Sequence, residues 1–199
     1  MEKYEKINGW KSEVAFIQQL NLNTKQFKEG YPPHWYDFIN LVKSSGAKSI
    51  LDIGCGCGFY YNLCLNNIPD LSYKGIDYAE EAIKVARESF SLGDFDVMDV
   101  WDINDDYIRD FDVIHLGALL DVLPNGDDLL KFILSLNAPK IILGRVKLTN
   151  ECSFYKEYTV YQSVETYEYH HNSDTFFNMI SDCGYSINRS GDTFLLIKS

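Results

Sequence analysis

The 199-residue chain has the length of one domain, and its 46% hydrophobic, 15% aromatic and 24% charged residues exclude a disordered, collagenous or low-complexity protein. With 18 Lys plus Arg against 29 Asp plus Glu, the formal net charge is −11, and the basic residues are scattered singly, which argues against nucleic acid or anionic lipid as a partner. The five Cys are odd in number and unevenly spaced, the opening MEKYEKINGW lacks an apolar signal core, and no apolar run approaches the ~20 residues of a membrane span, so a soluble cytoplasmic protein is expected.

In chain order, residues 1–47 read as a helical cap, with helices at Glu13 to Leu20 and Trp35 to Val42 separated by Gly30-Tyr31-Pro32-Pro33. Residues 48–147 alternate apolar runs with helical patterns, the mark of a sheet with crossover helices. The expected strands are Ser49 to Ile53, Tyr73 to Asp77, Phe95 to Val100, Phe111 to Leu116 and Lys140 to Val146. The expected helices are Phe59 to Asn66, Ala79 to Phe90 and Asp127 to Leu136, the last following the turn Pro124-Asn125-Gly126. Such an order predicts a parallel, right-handed doubly wound α/β sheet.

Residues 148–171, rich in Tyr and Glu, fit neither pattern and read as an insertion that covers the substrate, since such loops carry specificity. Residues 172–199 read as a helix from Asp174 to Cys183, capped by Asn172 or Ser173 and stopped by Gly184, then two runs, Tyr185 to Asn188 and Thr193 to Ile197, around Ser190-Gly191-Asp192. So short a turn predicts an antiparallel hairpin closing a mostly parallel, Rossmann-like, seven-stranded sheet with helices on both faces.

The strongest local signal is Leu51-Asp52-Ile53-Gly54-Cys55-Gly56-Cys57-Gly58, a strand entering a glycine-rich turn that opens a helix. Glycine lets a bulky ligand approach the backbone, and the helix start offers free N–H groups. The second strand ends at Asp77, where a carboxylate beside the glycine loop can accept both hydroxyl protons of a ribose. Together these predict a nucleoside cofactor. The dinucleotide fingerprint Gly-x-Gly-x-x-Gly fails, because Phe59 stands where its last glycine belongs. Cys55, Cys57 and Cys64 lack paired zinc-site spacing and a fourth ligand, so no metal is expected.

The Gly-x-Gly-x-Gly loop preceded by Asp52 resembles the first motif of the class I S-adenosylmethionine-dependent methyltransferases. The resemblance covers residues 48–147 by motif and reaches the C-terminus by element order. It implies that Gly54, Cys55, Gly56 and Gly58 pass under the methionine and ribose of S-adenosyl-L-methionine, with Asp52 holding the loop or the cofactor's amino group through water. It implies further that Asp77 binds the ribose hydroxyls, that Tyr78 flanks the adenine, and that Asp99 and Val100 receive the adenine edge. The fourth strand and its exit, Phe111 through Leu116 to Gly117, would present carbonyls to the cofactor's amino group.

Methyl transfer from a sulfonium needs an aligned nucleophile and a dry site, and a base only where the acceptor is protonated. Candidate catalytic groups are His115 and Asp121 at the fourth strand's exit and His170, with His171, at the end of the insertion. A third place is the N-terminal segment carrying Tyr31, His34 and Trp35, although His115 also fits an apolar core and the histidine pair a helix cap. No Asp/Asn-Pro-Pro-Tyr/Phe motif, Pro-Cys nucleophile or paired-glutamate loop follows the fourth strand, so the expected acceptor is a small molecule, such as a sugar hydroxyl or a related metabolite. The rival readings are a methyltransferase-like partner subunit without activity and an NAD(P)-dependent Rossmann oxidoreductase.

Overall fold

The computed structural model describes residues 10–161 and 164–199. Helices α1 (Glu13–Glu29) and α2 (Pro33–Ser45) precede β1 (Ser49–Ile53), α3 (Phe59–Asn67), β2 (Ser72–Asp77), α4 (Glu80–Ser89) and β3 (Asp94–Val97). The chain continues through a short α5 (Asp105–Ile108), β4 (Val113–Gly117), α6 (Gly126–Ser135) and β5 (Lys140–Gly144). Beyond it come β6 (Leu148–Thr149), β7 (Phe154–Val160), β8 (Val164–Asn172), α7 (Ser173–Asp182), β9 (Tyr185–Ser190) and β10 (Thr193–Lys198). Among the described residues no helix is long and apolar enough to cross a membrane.

The main sheet has seven strands in the order β3-β2-β1-β4-β5-β10-β9. β1 to β5 run parallel, and β10 is antiparallel to both β5 and β9. Strand side chains alternate between faces. Ile50, Val113, Ile142 and Leu195 therefore pack with Phe38 and Val42 of α2 on one side. Leu51, Ile53, Ile114, Ile141 and Phe194 pack with α6 and α7 residues such as Leu130, Ile133 and Phe176 on the other. Strand order reverses between β1 and β4, so the loops leaving those strands part and open a crevice at the carboxyl edge.

Several expected boundaries shift for local reasons. The third strand stops at Val97, and Asp99 then caps a 3-10 turn over Val100–Asp102 by accepting from the Trp101 N–H at 3.1 Å. The fifth stops at Gly144, because Arg145 adopts a left-handed φ of 61° that ends strand pairing. α1 runs on to Glu29, beyond the expected Leu20. The insertion, which fits neither pattern in the sequence, folds as a second, three-stranded sheet in the order β6-β8-β7, with β7 and β8 antiparallel from Phe154↔His170 to Val160↔Val164. His171 on β8 is fully buried and pins this sheet to α6, its Nδ1 lying 2.6 Å from Asp127 Oδ1. The helix cap is Asn172, whose Oδ1 accepts from the Thr175 N–H at 2.9 Å.

One polar group sits in the middle of the main sheet. Asp52 is wholly buried, and a buried carboxyl must be hydrogen-bonded to be tolerated. Tyr73 on β2 donates its hydroxyl to Oδ2 at 2.5 Å, and His115, paired with Asp52 across β1 and β4, brings Nδ1 to 2.7 Å from Oδ1. Three strands are thus tied through one side chain. Tyr73→Phe leaves Oδ2 without this donor and is expected to cost about 1–3 kcal/mol, read as a lower denaturant midpoint at constant slope. An unchanged midpoint would mean that the carboxyl does not need that partner.

Candidate active site

At the crevice the glycine loop turns back over the sheet. The N–H groups of Gly54 and Cys55 both donate to the Ile76 carbonyl, at 2.8 and 2.9 Å, which locks the start of the loop onto β2. The Gly56 N–H donates to Asp77 Oδ2 at 2.9 Å, and the Ala79 N–H at the head of α4 donates to Oδ1 at 3.0 Å. Asp77 therefore joins the loop after β1 to the helix after β2. Burial pushes its carboxyl up to about 6, the two N–H donors only partly opposing that rise.

Two of the loop glycines do different things. Gly56 has a φ of 53°, and a Cβ there would meet Gln19 Oε1 of α1 at 2.7 Å, so the bare backbone is what lets α1 close over the loop. A Cβ on Gly58 would instead strike the Phe95 ring at 2.8 Å, which makes that position one of core packing.

Two cavities meet here. The larger, of about 560 Å³, is lined by Gly54, Gly56, Gly117 and Ala118 on its floor and by Trp10, Gln19, His34, Trp35, Tyr60 and Arg145 around its walls. The smaller, of about 220 Å³, runs along Met98, Asp99, Val100 and Trp101. Gly54, Asp77, Tyr78, Leu119 and Leu123 line both, so the cavities adjoin along the glycine loop and Asp77. A mostly apolar slot with one carboxylate at its edge suits a nucleobase, a buried carboxylate suits a ribose diol, and exposed loop backbone suits a polar amino-acid tail. The residues present therefore fit a nucleoside cofactor that carries a second polar arm.

The expected cofactor residues fall into two groups. Gly54, Gly56, Asp77, Tyr78, Asp99 and Val100 line one or both cavities. Asp52, Cys55, Gly58 and Leu116 do not: Asp52 is occupied by Tyr73 and His115, Leu116 is buried among α6 residues, and Cys55 packs against Gly75. At the exit of β4 the lining begins one residue later, at Gly117. The loop thiols are buried and protonated, Cys57 being pushed up to about 12 by desolvation and Cys55 raised well above its ordinary value by the same cause, so neither is a nucleophile at neutral pH.

Of the expected catalytic candidates, His115, Asp121 and His170 line neither cavity. His115 lies beneath the floor, where its Cε1 stands 2.8 Å from the place a Gly117 Cβ would occupy, and its Nε2 is buried without a hydrogen-bond partner among the described residues. Asp121 is 2% exposed, 3.9 Å from Lys147 Nζ, and its carboxyl is pushed up to about 6 by burial. His170 stacks on Phe154 at 4.7 Å and pairs with Glu168 at 2.7 Å on the second sheet. Besides Asp77 and the α1 amides Gln19, Asn23 and Gln26, the polar residues lining the larger cavity include His34 at the head of α2, Tyr60 in the first turn of α3, and Arg145 just after β5. His34 belongs to the third place marked in the sequence; Tyr60 and Arg145 gave no signal, the first reading as a helix residue and the second as strand.

His34 is neutral at physiological pH, lowered to about 4 first by burial and then by the positive charge of Arg145, against weaker opposing effects of Asp192 and Asp37. A neutral imidazole facing a cavity can accept a proton. Asp121 provides a separate test of the local electrostatics. A carboxyl raised to about 6 in the folded chain but ordinary when unfolded contributes stability below about pH 4 that is lost as the pH rises through 6. Asp121→Asn should therefore match the parent near pH 4 and exceed its melting temperature above pH 7, and equal melting at both pH values would contradict the burial argument.

A family model described as "Methyltransferase domain" matches residues 51–140. The 235L protein of Invertebrate iridescent virus 6, whose name assigns it provisionally as a methyltransferase, is 33% identical over 78 residues, which cover 39% of this chain and 29% of that protein. The fold is shared with the sugar N-methyltransferase KedS8 from Streptoalloteichus sp ATCC 53650 at a TM-score of 0.64 and 10% identity, over 90% of this chain and 92% of that one. It is also shared with human N-acetylserotonin methyltransferase, solved with S-adenosylmethionine, at a TM-score of 0.70 and 16% identity over 98% and 60% of the two chains. An S-adenosylmethionine-dependent methyltransferase from Clostridium acetobutylicum ATCC 824 gives 0.67 and 13% identity over 93% and 99%.

Proposed function

We propose that this chain is a class I S-adenosylmethionine-dependent methyltransferase and that it moves a methyl group from S-adenosyl-L-methionine to a hydroxyl of a small acceptor, a sugar or related metabolite, by in-line displacement, a reading supported by the match to a methyltransferase domain and by the shared fold. The observation that carries the proposal is the pair of adjoining cavities, one an apolar slot ending at Asp99, the other walled by aromatic rings and holding a neutral imidazole. We read residues 1–199 as one methyltransferase domain, with 1–47 as a cap, 48–147 as the cofactor core, 148–171 as the part that covers the acceptor and 172–199 as the closing helix and hairpin.

When bound, the cofactor supplies an electrophilic methyl on a sulfonium sulfur that departs as a neutral thioether. Asp99 and the Val100 backbone would receive the adenine edge, a reading supported by their lining the smaller cavity together with Tyr78 and Leu119. Asp77, with one N–H already on each oxygen, keeps lone pairs free for the two ribose hydroxyls. Gly54, Gly56 and Gly117 offer backbone to the methionine portion. Trp10, Trp35 and Tyr60 shield the larger cavity from water, which suits a displacement in which charge is dispersed. His34 takes the acceptor's proton; His115, Asp121 and His170 act from behind the walls as positioning residues, His115 by bracing Tyr60, whose ring centre is 4.5 Å from the imidazole.

S-adenosylhomocysteine at 100 times its dissociation constant is expected to stabilise the folded chain by about 2.7 kcal/mol, while NAD does nothing. Because Asp77 must be ionised to accept two hydroxyl protons, affinity for S-adenosylhomocysteine should fall as the pH drops through about 6, and Asp77→Asn should bind weakly and lose that dependence. In a labelled methyl-transfer screen over pooled hydroxylated metabolites, His34→Ala should lose roughly 100-fold or more in turnover with cofactor affinity intact. Stabilisation by NAD alone would overturn the reading, and full turnover by His34→Ala would remove that residue's role.

A further inference from the structure

We infer that the acceptor carries an anionic group, a carboxylate or a phosphate, and that Arg145 is the residue that grips it. This rests on the proposed function and names the acceptor class for the larger cavity. Arg145 follows directly on β5, two strands along the carboxyl edge from the glycine loop, so it stands at the end of the cavity away from Asp77 and Asp99.

Three observations single this guanidinium out. Its backbone has a φ of 61°, a left-handed conformation that a non-glycine residue holds only where the surroundings impose it, and such positions cluster at functional sites. Of the four Arg, Arg87, Arg109 and Arg189 donate to carbonyls or carboxylates, whereas Arg145 makes no hydrogen bond or ion pair among the described residues, although its charge is felt by the buried Asp121. Five planar donors left unpaired against a cavity are matched by the fork of a carboxylate or phosphate.

Its charge is also felt inside the cavity, at both Tyr60 and His34, and at His34 it outweighs either Asp192 or Asp37 taken singly. An uncharged acceptor would leave that positive field beside the imidazole and keep it a poor proton acceptor. An anion seated on the guanidinium would cancel it, so the right acceptor strengthens its own base on arrival. The overall charge of −11 makes a local cation necessary, because the global field disfavours anions unless a fixed positive group receives them.

The test uses the full chain saturated with S-adenosylhomocysteine. Calorimetry compares glucuronate, glucose 1-phosphate and glucose, which share a sugar frame and differ in charge, while the His34 ring signal is followed by NMR during titration with acetate and with inorganic phosphate. The expected result is at least tenfold tighter binding of one or both charged sugars than of glucose, and a saturable shift of the His34 signal by at least one of the two simple anions. Whichever of carboxylate or phosphate dominates identifies the group. Arg145→Asn, which tolerates the left-handed backbone, should abolish both effects, and Arg145→Lys should keep part of them. Equal binding of glucose, effects that persist in Arg145→Asn, or no binding by any probe would overturn the assignment. Affinity for S-adenosylhomocysteine in the parent and in Arg145→Asn is read alongside: its absence in the parent counts against the methyltransferase reading, whereas its retention with no anion selectivity counts against Arg145 alone.

Discussion

The Asp77 carboxyl is the joint on which the crevice depends. One of its oxygens holds the glycine loop through Gly56, the other holds the head of α4 through Ala79, and its remaining surface faces both cavities. Without it, the loop after β1 and the helix after β2 lose this common anchor, and the two cavities lose a shared wall. Burial makes the group costly to ionise, as its rise to about 6 records. Hydroxyl donors or a nearby cation would offset that cost, since both favour the charged form.

A second buried acid, Asp52, shows the opposite use of the same residue type. It meets Tyr73 and His115 inside the sheet, leaves no face to either cavity, and so organises strands while Asp77 organises the crevice. The floor above it depends on this arrangement: His115 and Tyr60 press against Gly117, where a Cβ would stand 2.8 Å from one ring and 2.7 Å from the other. A larger residue at 117 would be pushed into the larger cavity.

The core strands were readable because parallel strands covered on both faces leave short apolar runs, and the glycine loop because its backbone demands are written in residue type. Asp77, Tyr78, Asp99 and Val100 were legible for a related reason: position at a strand's carboxyl end nearly determines where a residue stands. The second sheet was not. β8 alternates buried and exposed residues in Val164-Glu165-Thr166, then continues through Tyr167, Tyr169 and His171, whose polar tips disguise buried rings. Of the catalytic candidates, His34 and Trp35 stand on the cavity walls, whereas His115, Asp121 and His170 do not. His115 sits at the right height on β4 but faces inward to Asp52, a choice set by the strand's two-residue period, and His170 turns to Glu168. Arg145 and Tyr60 could not be found from pattern, because one depends on a left-handed residue ending β5 and the other on how α3 packs against α2 and the sheet.

The most direct test of the central claim is a crystal structure of the chain with S-adenosylhomocysteine. The account predicts a ligand spanning both cavities, with its adenine in the slot beside Asp99 and Val100, both ribose hydroxyls on Asp77, and its thioether sulfur pointing towards the space bounded by His34, Tyr60 and Arg145. A ligand bound elsewhere, or one whose ribose makes no contact with Asp77, would contradict it.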